Sequence, residues 1–201
     1  LRYLKKIFYN SVAELRIKNR LVTNPINTQY HIWKYVMILR LSEYYFNNSL
    51  FSRPLTHTNK LDFNRILNTL FVLWHFYRLR KLSYKLGIQI PPNTCGPGLQ
   101  IWHYGYIIIN GAARVGKNLT IYPGVEIGHK VAGAGCPEIG NNVFIGAGVK
   151  IFGNIKIGDN VTIAANAVVL EDIPDNAVVA GVPAKIIKFK TNESSSDKHD
   201  V

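Results

Sequence analysis

From Ile109 onward an aliphatic residue recurs at every sixth position: Ile109, Val115, Ile121 and Ile127, then Ile139, Ile145, Ile151, Ile157, Ile163 and Val169. The phase is kept across HKVAGAGCPE, because positions 127 and 139 lie two periods of six apart. A second aliphatic ladder runs four residues behind, through Leu119, Val125, Val143, Val149, Ile155 and Val161, and glycine often follows the first ladder, as at Gly116, Gly128, Gly140, Gly146 and Gly158. Neither the 3.6-residue helical period nor strand alternation gives a repeat of six. A parallel β-helix does, with short flat strands, tight turns and about three hexapeptides in each coil. A single coil cannot bury its inward aliphatics, so the core comes from stacking coils.

Before Gly87 the pattern is different. HIWKYVMILRLSEYYF (His31–Phe46) and LDFNRILNTLFVLWHFYRLRKLSYKL (Leu61–Leu86) carry apolar residues at helical spacing and predict two helices. Gly87 is placed to end the second, and Pro91 with Pro92 prevents its resumption. The run from Ile66 to Tyr77 is strongly apolar but far shorter than the roughly 20 residues that span a bilayer, so it is read as a buried packing face. The alternative is a helix lying on a membrane, with Arg78, Arg80, Lys81 and Lys85 meeting anionic headgroups. NNSLFSRPLTHTNK forms the loop between the helices, and TNESSSDKHDV is a polar tail expected to be mobile. The chain therefore divides into a helical part (1–86), the repeat (87–182) and a C-terminal segment with its tail (183–201).

Charge adds a partner class. A formal net charge of +12 over 201 residues implies anionic company: a phosphorylated small molecule, membrane phosphate or nucleic acid. Nucleic acid is set aside because the basic residues form no recognition motif. Two cysteines, Cys95 and Cys136, lie far apart without metal-type spacing, so neither a disulfide framework nor a metal site is expected. A reducing cytoplasm fits best, and charge interrupts the apolar residues of LRYLKKIFYNSVAELRIKNR too often for a secretory signal.

GPGLQIWHYGYIII, IGNNVFIGAGVKIFGNIKIGDNVTIAANAVVLEDIP and the closing AGVPAKII together resemble the hexapeptide-repeat acyltransferases, specifically their serine acetyltransferase-like branch, over roughly Ile88–Ile187. The resemblance implies a mainly β chain with a helical N-terminal part, a left-handed parallel β-helix, a homotrimer and acetyl-CoA as acyl donor. Aligned without gaps from Ile88 to Gly128, the family's catalytic histidine falls on His103. The chemistry agrees, since an acceptor hydroxyl is a poor nucleophile until a positioned base takes its proton, and histidine is the usual base near neutral pH. Glycine-rich turns can offer backbone N–H groups to the developing oxyanion. His129 opens the non-repeating loop that in this family lies near the coenzyme. Gly128, Ala147 and Ala165 match positions where the family keeps small residues beside the pantetheine arm, though tight coil corners also require small residues. Lys185 is the expected partner of a coenzyme phosphate, with solvated surface lysine as the alternative.

The departures concern the acceptor. Serine acetyltransferases have an aspartate immediately before the catalytic histidine, where this chain has Trp102; their second, imidazole-orienting aspartate falls on Ile88. The loop arginine and histidine that help hold their amino-acid substrate fall on Gly135 and Cys136. Aromatics stand around His103 instead: Trp102, Tyr104, Tyr106 and Tyr122, which suit a sugar ring or, alternatively, a neighbouring subunit. A coil of about 18 residues would set Tyr104 above Tyr122. With CPEIG after the loop, this pattern looks more like the exopolysaccharide O-acetyltransferases, of the colanic acid type. The expectation is therefore an O-acetyltransferase acting on a sugar hydroxyl of a cell-surface polysaccharide, cytoplasmic, with peripheral contact at the inner membrane face as an option. The rivals are a serine O-acetyltransferase and a β-helix scaffold without turnover. Gln89, the backbone or another subunit would have to orient His103.

Overall fold

The computed structural model describes residues 28–52 and 63–190. The expectations for LRYLKKIFYNSVAELRIKNR, for most of the inter-helix loop and for the tail fall outside these residues. The described residues form two compact units: one holds residues 28–52 and 63–93 with His103–Tyr106, the other Thr94–Trp102 and residues 107–190.

The first unit is built on helices α1 (Thr28–Asn47) and α2 (Phe63–Leu86), followed by the short strand β1 (Ile88–Gln89). Ile32, Tyr35, Val36, Leu39 and Ser42 recur at three- and four-residue spacing and bury one stripe of α1. Tyr45 stacks on Phe71 at 5.1 Å and lies 4.9 Å from the His75 ring, and Phe46 stacks on Phe76 at 6.0 Å, so aromatic faces join the two helices. His75 is buried and its Nδ1 lies 2.8 Å from the Phe71 carbonyl, which can only accept, so Nδ1 carries the proton. On α1, Arg40 forms a buried pair with Glu43 through Nη1, 2.8 Å from Oε2 and 3.1 Å from Oε1. Glu43 Oε1 also accepts the Asn93 N–H at 2.9 Å, which ties the chain after β1 to α1. Helix α2 ends as expected: Gly87 takes φ +71° and donates its N–H to Ser83 O at 2.9 Å.

The expectation for the Ile66–Tyr77 run is corrected. Val72, His75, Leu79 and Leu86 are the buried residues of α2, whereas Leu70, Leu73, Trp74 and Tyr77 are exposed. The run is apolar on both sides of the helix, so spacing alone could not say which side was inside.

The second unit is the coil that the period of six predicts. Its strands are β2 (Gln100–Ile101), β3 (Ile107–Ile109), β4 (Arg114–Val115), β5 (Thr120–Ile121), β6 (Val125–Gly128), β7 (Glu138–Ile139) and β8 (Phe144–Ile145). They continue with β9 (Lys150–Phe152), β10 (Lys156–Ile157), β11 (Thr162–Ile163), β12 (Val168–Val169), β13 (Ala177–Ala180) and β14 (Lys185–Phe189). One sheet runs β3-β6-β9-β12, a second β10-β7-β4 and a third β14-β13-β11-β8-β5-β2; all pairings are parallel except β13 with β14. Each step of the ladder moves to the next face, and the registers stack its members: Ile109 on Ile127 on Ile151 on Val169, and Ile121 on Ile145 on Ile163. All of these side chains are buried.

The corners carry polar ladders. Asn118, Asn142, Asn160 and Asn176 all have φ between 56° and 61°, and the first three each pass Nδ2 to the Oδ1 of the next, at 2.9, 3.1 and 3.2 Å. Asparagine tolerates this left-handed conformation, and a stacked amide both donates and accepts. Beside it, Asp159 Oδ1 accepts the Asn141 N–H at 2.6 Å, and Asp175 Oδ1 accepts the Asp159 N–H at 2.7 Å. The backbone and side-chain hydrogen bonds from Asn141 hold the Asp159 carboxyl below the usual carboxylate range.

Candidate active site

In the first unit, His103 is exposed in the bend His103–Tyr106, which also holds exposed Tyr104 and Tyr106. Gly105 adopts φ +140° and donates its N–H to Leu86 O at 2.9 Å, anchoring the bend to the C-terminal end of α2. A β-carbon on Gly87 would come within 3.1 Å of the Gly105 carbonyl carbon, so this anchorage depends on glycine at both places.

In the second unit the aromatics form a column. β2 pairs with β5 so that Ile101 lies opposite Ile121, and the next residues, Trp102 and Tyr122, stack with ring centroids 6.1 Å apart and planes 12° from parallel. The offset from 101 to 121 is two residues longer than a regular coil, because the His103 bend interrupts it. The register therefore sets Trp102 opposite Tyr122, correcting the expected position of Tyr104. Phe144 of β8 extends the column, 5.5 Å from Tyr122. Sequence reading missed Phe144, since the coil from Ile121 to Ile145 includes the non-repeating loop.

Among the positions carried over for a coenzyme, Ala147 and Ala165 come together. They follow β8 and β11 at the same corner of successive coils, and Asn166 N–H donates to Ala147 O at 2.7 Å. Both are exposed, and a β-carbon on Gly146 would come within 2.7 Å of Ala165 N, so this corner is closely stacked. Lys185 opens β14, opposite Ala180 and beyond that corner, with its exposed Nζ 3.5 Å from Glu171. Gly128 does not share the corner: it is buried at the end of β6, paired with Phe152.

At the base of the non-repeating loop, Asn110, His129 and Cys136 form a cluster that sequence spacing did not show. Asn110 Oδ1 accepts the Ala112 N–H at 2.9 Å, which leaves Nδ2 to donate to His129 Nε2 at 3.0 Å. This network assigns the ring proton to Nδ1, which faces Ala134 O at 3.1 Å and Cys136 Sγ at 3.2 Å. Burial pushes the Cys136 thiol up, with Arg114 opposing. A neutral thiol beside a nitrogen that already holds its proton is not an activated nucleophile. His129 closes the loop, and His103 is the exposed imidazole of the motif. Among the described residues no group of three or more His, Cys, Asp or Glu side chains could hold a metal ion.

The second unit thus presents a coil of stacked hexapeptides with an aromatic column and small corner residues. Residues 137–171 match the family Bacterial transferase hexapeptide (six repeats). The chain is 45% identical over 105 residues to the serine acetyltransferase of Staphylococcus xylosus and 46% identical over 105 to that of Staphylococcus epidermidis, covering 51% of this chain and 49% of each relative. The chain thus matches about half the length of these curated relatives. Among solved structures, the serine acetyltransferase of Neisseria gonorrhoeae is similar at 25% identity and a TM-score of 0.67, over 99% of this chain and 71% of that one. A serine acetyltransferase from Brucella abortus in complex with coenzyme A is similar at 25% identity and a TM-score of 0.55, over 94% of this chain and 90% of that one. The chain carries the left-handed parallel β-helix of hexapeptide-repeat acyltransferases, with serine acetyltransferases as its homologues. These relatives and neighbours are serine acetyltransferases, and they do not support the polysaccharide branch expected from the aromatic pattern.

Proposed function

We propose that this chain is an acetyl-CoA-dependent O-acetyltransferase, with L-serine as the acceptor that the comparisons favour. The observation that carries this reading is the 45% identity over 105 residues to a serine acetyltransferase. His103 takes the proton of the acceptor hydroxyl as its oxygen bonds to the acetyl carbonyl carbon; the C–S bond then breaks and the proton returns to the departing sulfur. Acetyl-CoA supplies the thioester. The exposed Ala147 and Ala165 corner leaves room for an extended arm along the backbone, and Lys185 provides a cation for a phosphate.

A second acceptor class is favoured by one observation: the Trp102, Tyr122 and Phe144 rings form an aromatic face, with Trp102 and Phe144 exposed. Such a face suits a sugar ring better than a zwitterion, and Gly135 and Cys136 provide no charge of the kind a zwitterion needs. Thiol release from acetyl-CoA, measured with L-serine and with a panel of nucleotide sugars and oligosaccharides, tests both. Turnover with serine supports the first reading, and turnover with a saccharide alone supports the second. No turnover with any hydroxyl acceptor would overturn the acetyltransferase proposal.

A further inference from the structure

Helix α2 has a buried side and an apolar exposed side. Val72, His75, Leu79 and Leu86 form the buried ridge. On the opposite side, at spacings of seven, four and three, stand Phe63, Leu70, Trp74 and Tyr77, which are 74%, 60%, 57% and 61% exposed. Leu73, 56% exposed, widens the stripe. Toward the C-terminal end this face passes into Lys81, Tyr84 and Lys85, flanked by Arg78 and Arg80. The 24-residue helix contains no Asp or Glu, so every charged side chain on it is basic.

From this arrangement we propose that α2 lies on an anionic phospholipid surface, with Leu70, Leu73, Trp74 and Tyr77 in the acyl-chain boundary and its C-terminal basic residues at the phosphates. Charge selects this occupant. A second copy would set one all-basic helix against another. Residues 1–27 of the same chain carry six Lys and Arg against one Glu and would meet the helix with like charge. An anionic headgroup layer over hydrocarbon matches both the sign of the charge and the apolar stripe, and Trp and Tyr are the aromatics that suit such a boundary. No helix among the described residues is long and apolar enough to cross a membrane, so the proposed contact lies along the surface. This placement is independent of the acceptor and does not rest on the acetyltransferase reading.

The test is co-sedimentation of the full chain with vesicles of phosphatidylcholine, with and without phosphatidylglycerol. Binding to the anionic vesicles is expected, with weak binding to the neutral ones and release by salt. Lys81→Gln with Lys85→Gln should weaken binding about fivefold for each charge removed. Leu70→Gln with Trp74→Gln should weaken it by about tenfold or more. All four side chains lie on the exposed side, so an unchanged melting temperature serves as the folding control, and Trp74→Phe should retain binding while removing the blue shift of tryptophan emission on vesicle addition. A full chain that stays in the supernatant with both vesicle types overturns the proposal, as does binding unaffected by both double variants. A change in self-association caused by Leu70→Gln with Trp74→Gln, without vesicle binding by the parent chain, would instead assign the face to a second copy.

Discussion

The indole of Trp102 lies over the ring of Tyr122, with centroids 6.1 Å apart and planes 12° from parallel. A stacked pair on the outer surface of a coil contributes nothing to the aliphatic core, so its use lies in what it meets outside. If the pair holds the acceptor, Trp102→Ala with Tyr122→Ala should raise the acceptor KM about two- to tenfold and leave the KM for acetyl-CoA unchanged. Equal changes in both constants would remove the pair from the acceptor site. The test needs whichever acceptor first gives turnover.

Ala147 and Ala165 stack at one corner, with Asn166 N–H on Ala147 O at 2.7 Å. Both side chains are exposed, so a large residue can be carried there without entering the core. Ala165→Trp should therefore leave the melting temperature nearly unchanged and weaken acetyl-CoA binding by about tenfold or more, read by calorimetry. An unaltered dissociation constant would place the coenzyme elsewhere.

The repeat was legible because burial acts on every sixth residue without exception between Ile139 and Val169: an exposed charge at any of these places would sit in the shared core. The acceptor side was less legible, for a geometric reason. Counting by regular coils set Tyr104 above Tyr122, but the bend held by Gly105 N–H on Leu86 O lengthens that coil, and Trp102 takes the place. The cluster of Asn110, His129 and Cys136 was hidden because its members are joined by a loop that follows no period. On α2, the helical period sets Leu70 and Val72 on opposite sides, but their similar hydrophobicity could not tell which side is inside.

Arg40 and Glu43 are both buried on α1, and Glu43 also receives the Asn93 N–H. Glu43→Ala would leave a buried guanidinium without its counter-ion. The expected loss of stability is about 3–5 kcal/mol by denaturant unfolding. Glu43→Gln, which keeps an acceptor for Asn93, should lose less. A loss below about 1 kcal/mol for Glu43→Ala would mean that water reaches Arg40.

Asp159 accepts hydrogen bonds from Asn141, and its folded-state carboxyl titrates below the usual range. The unfolded chain thus binds its proton at higher pH than the native one. The stabilisation is complete above the ordinary carboxylate range and is lost as pH falls through the lower, folded value. Asp159→Asn should flatten the acid limb of the melting temperature against pH while changing the profile little between neutral and mildly basic pH. An acid limb identical in the two proteins would contradict the ladder's role.

The most direct measurement of the central claim is turnover by His103→Ala, with acetyl-CoA affinity measured on the same protein. If His103 is the base that activates the acceptor hydroxyl, kcat should fall by about a hundredfold or more with the coenzyme dissociation constant unchanged. Turnover within about twofold of the parent would show that the proton goes elsewhere and that the motif's histidine is not the base.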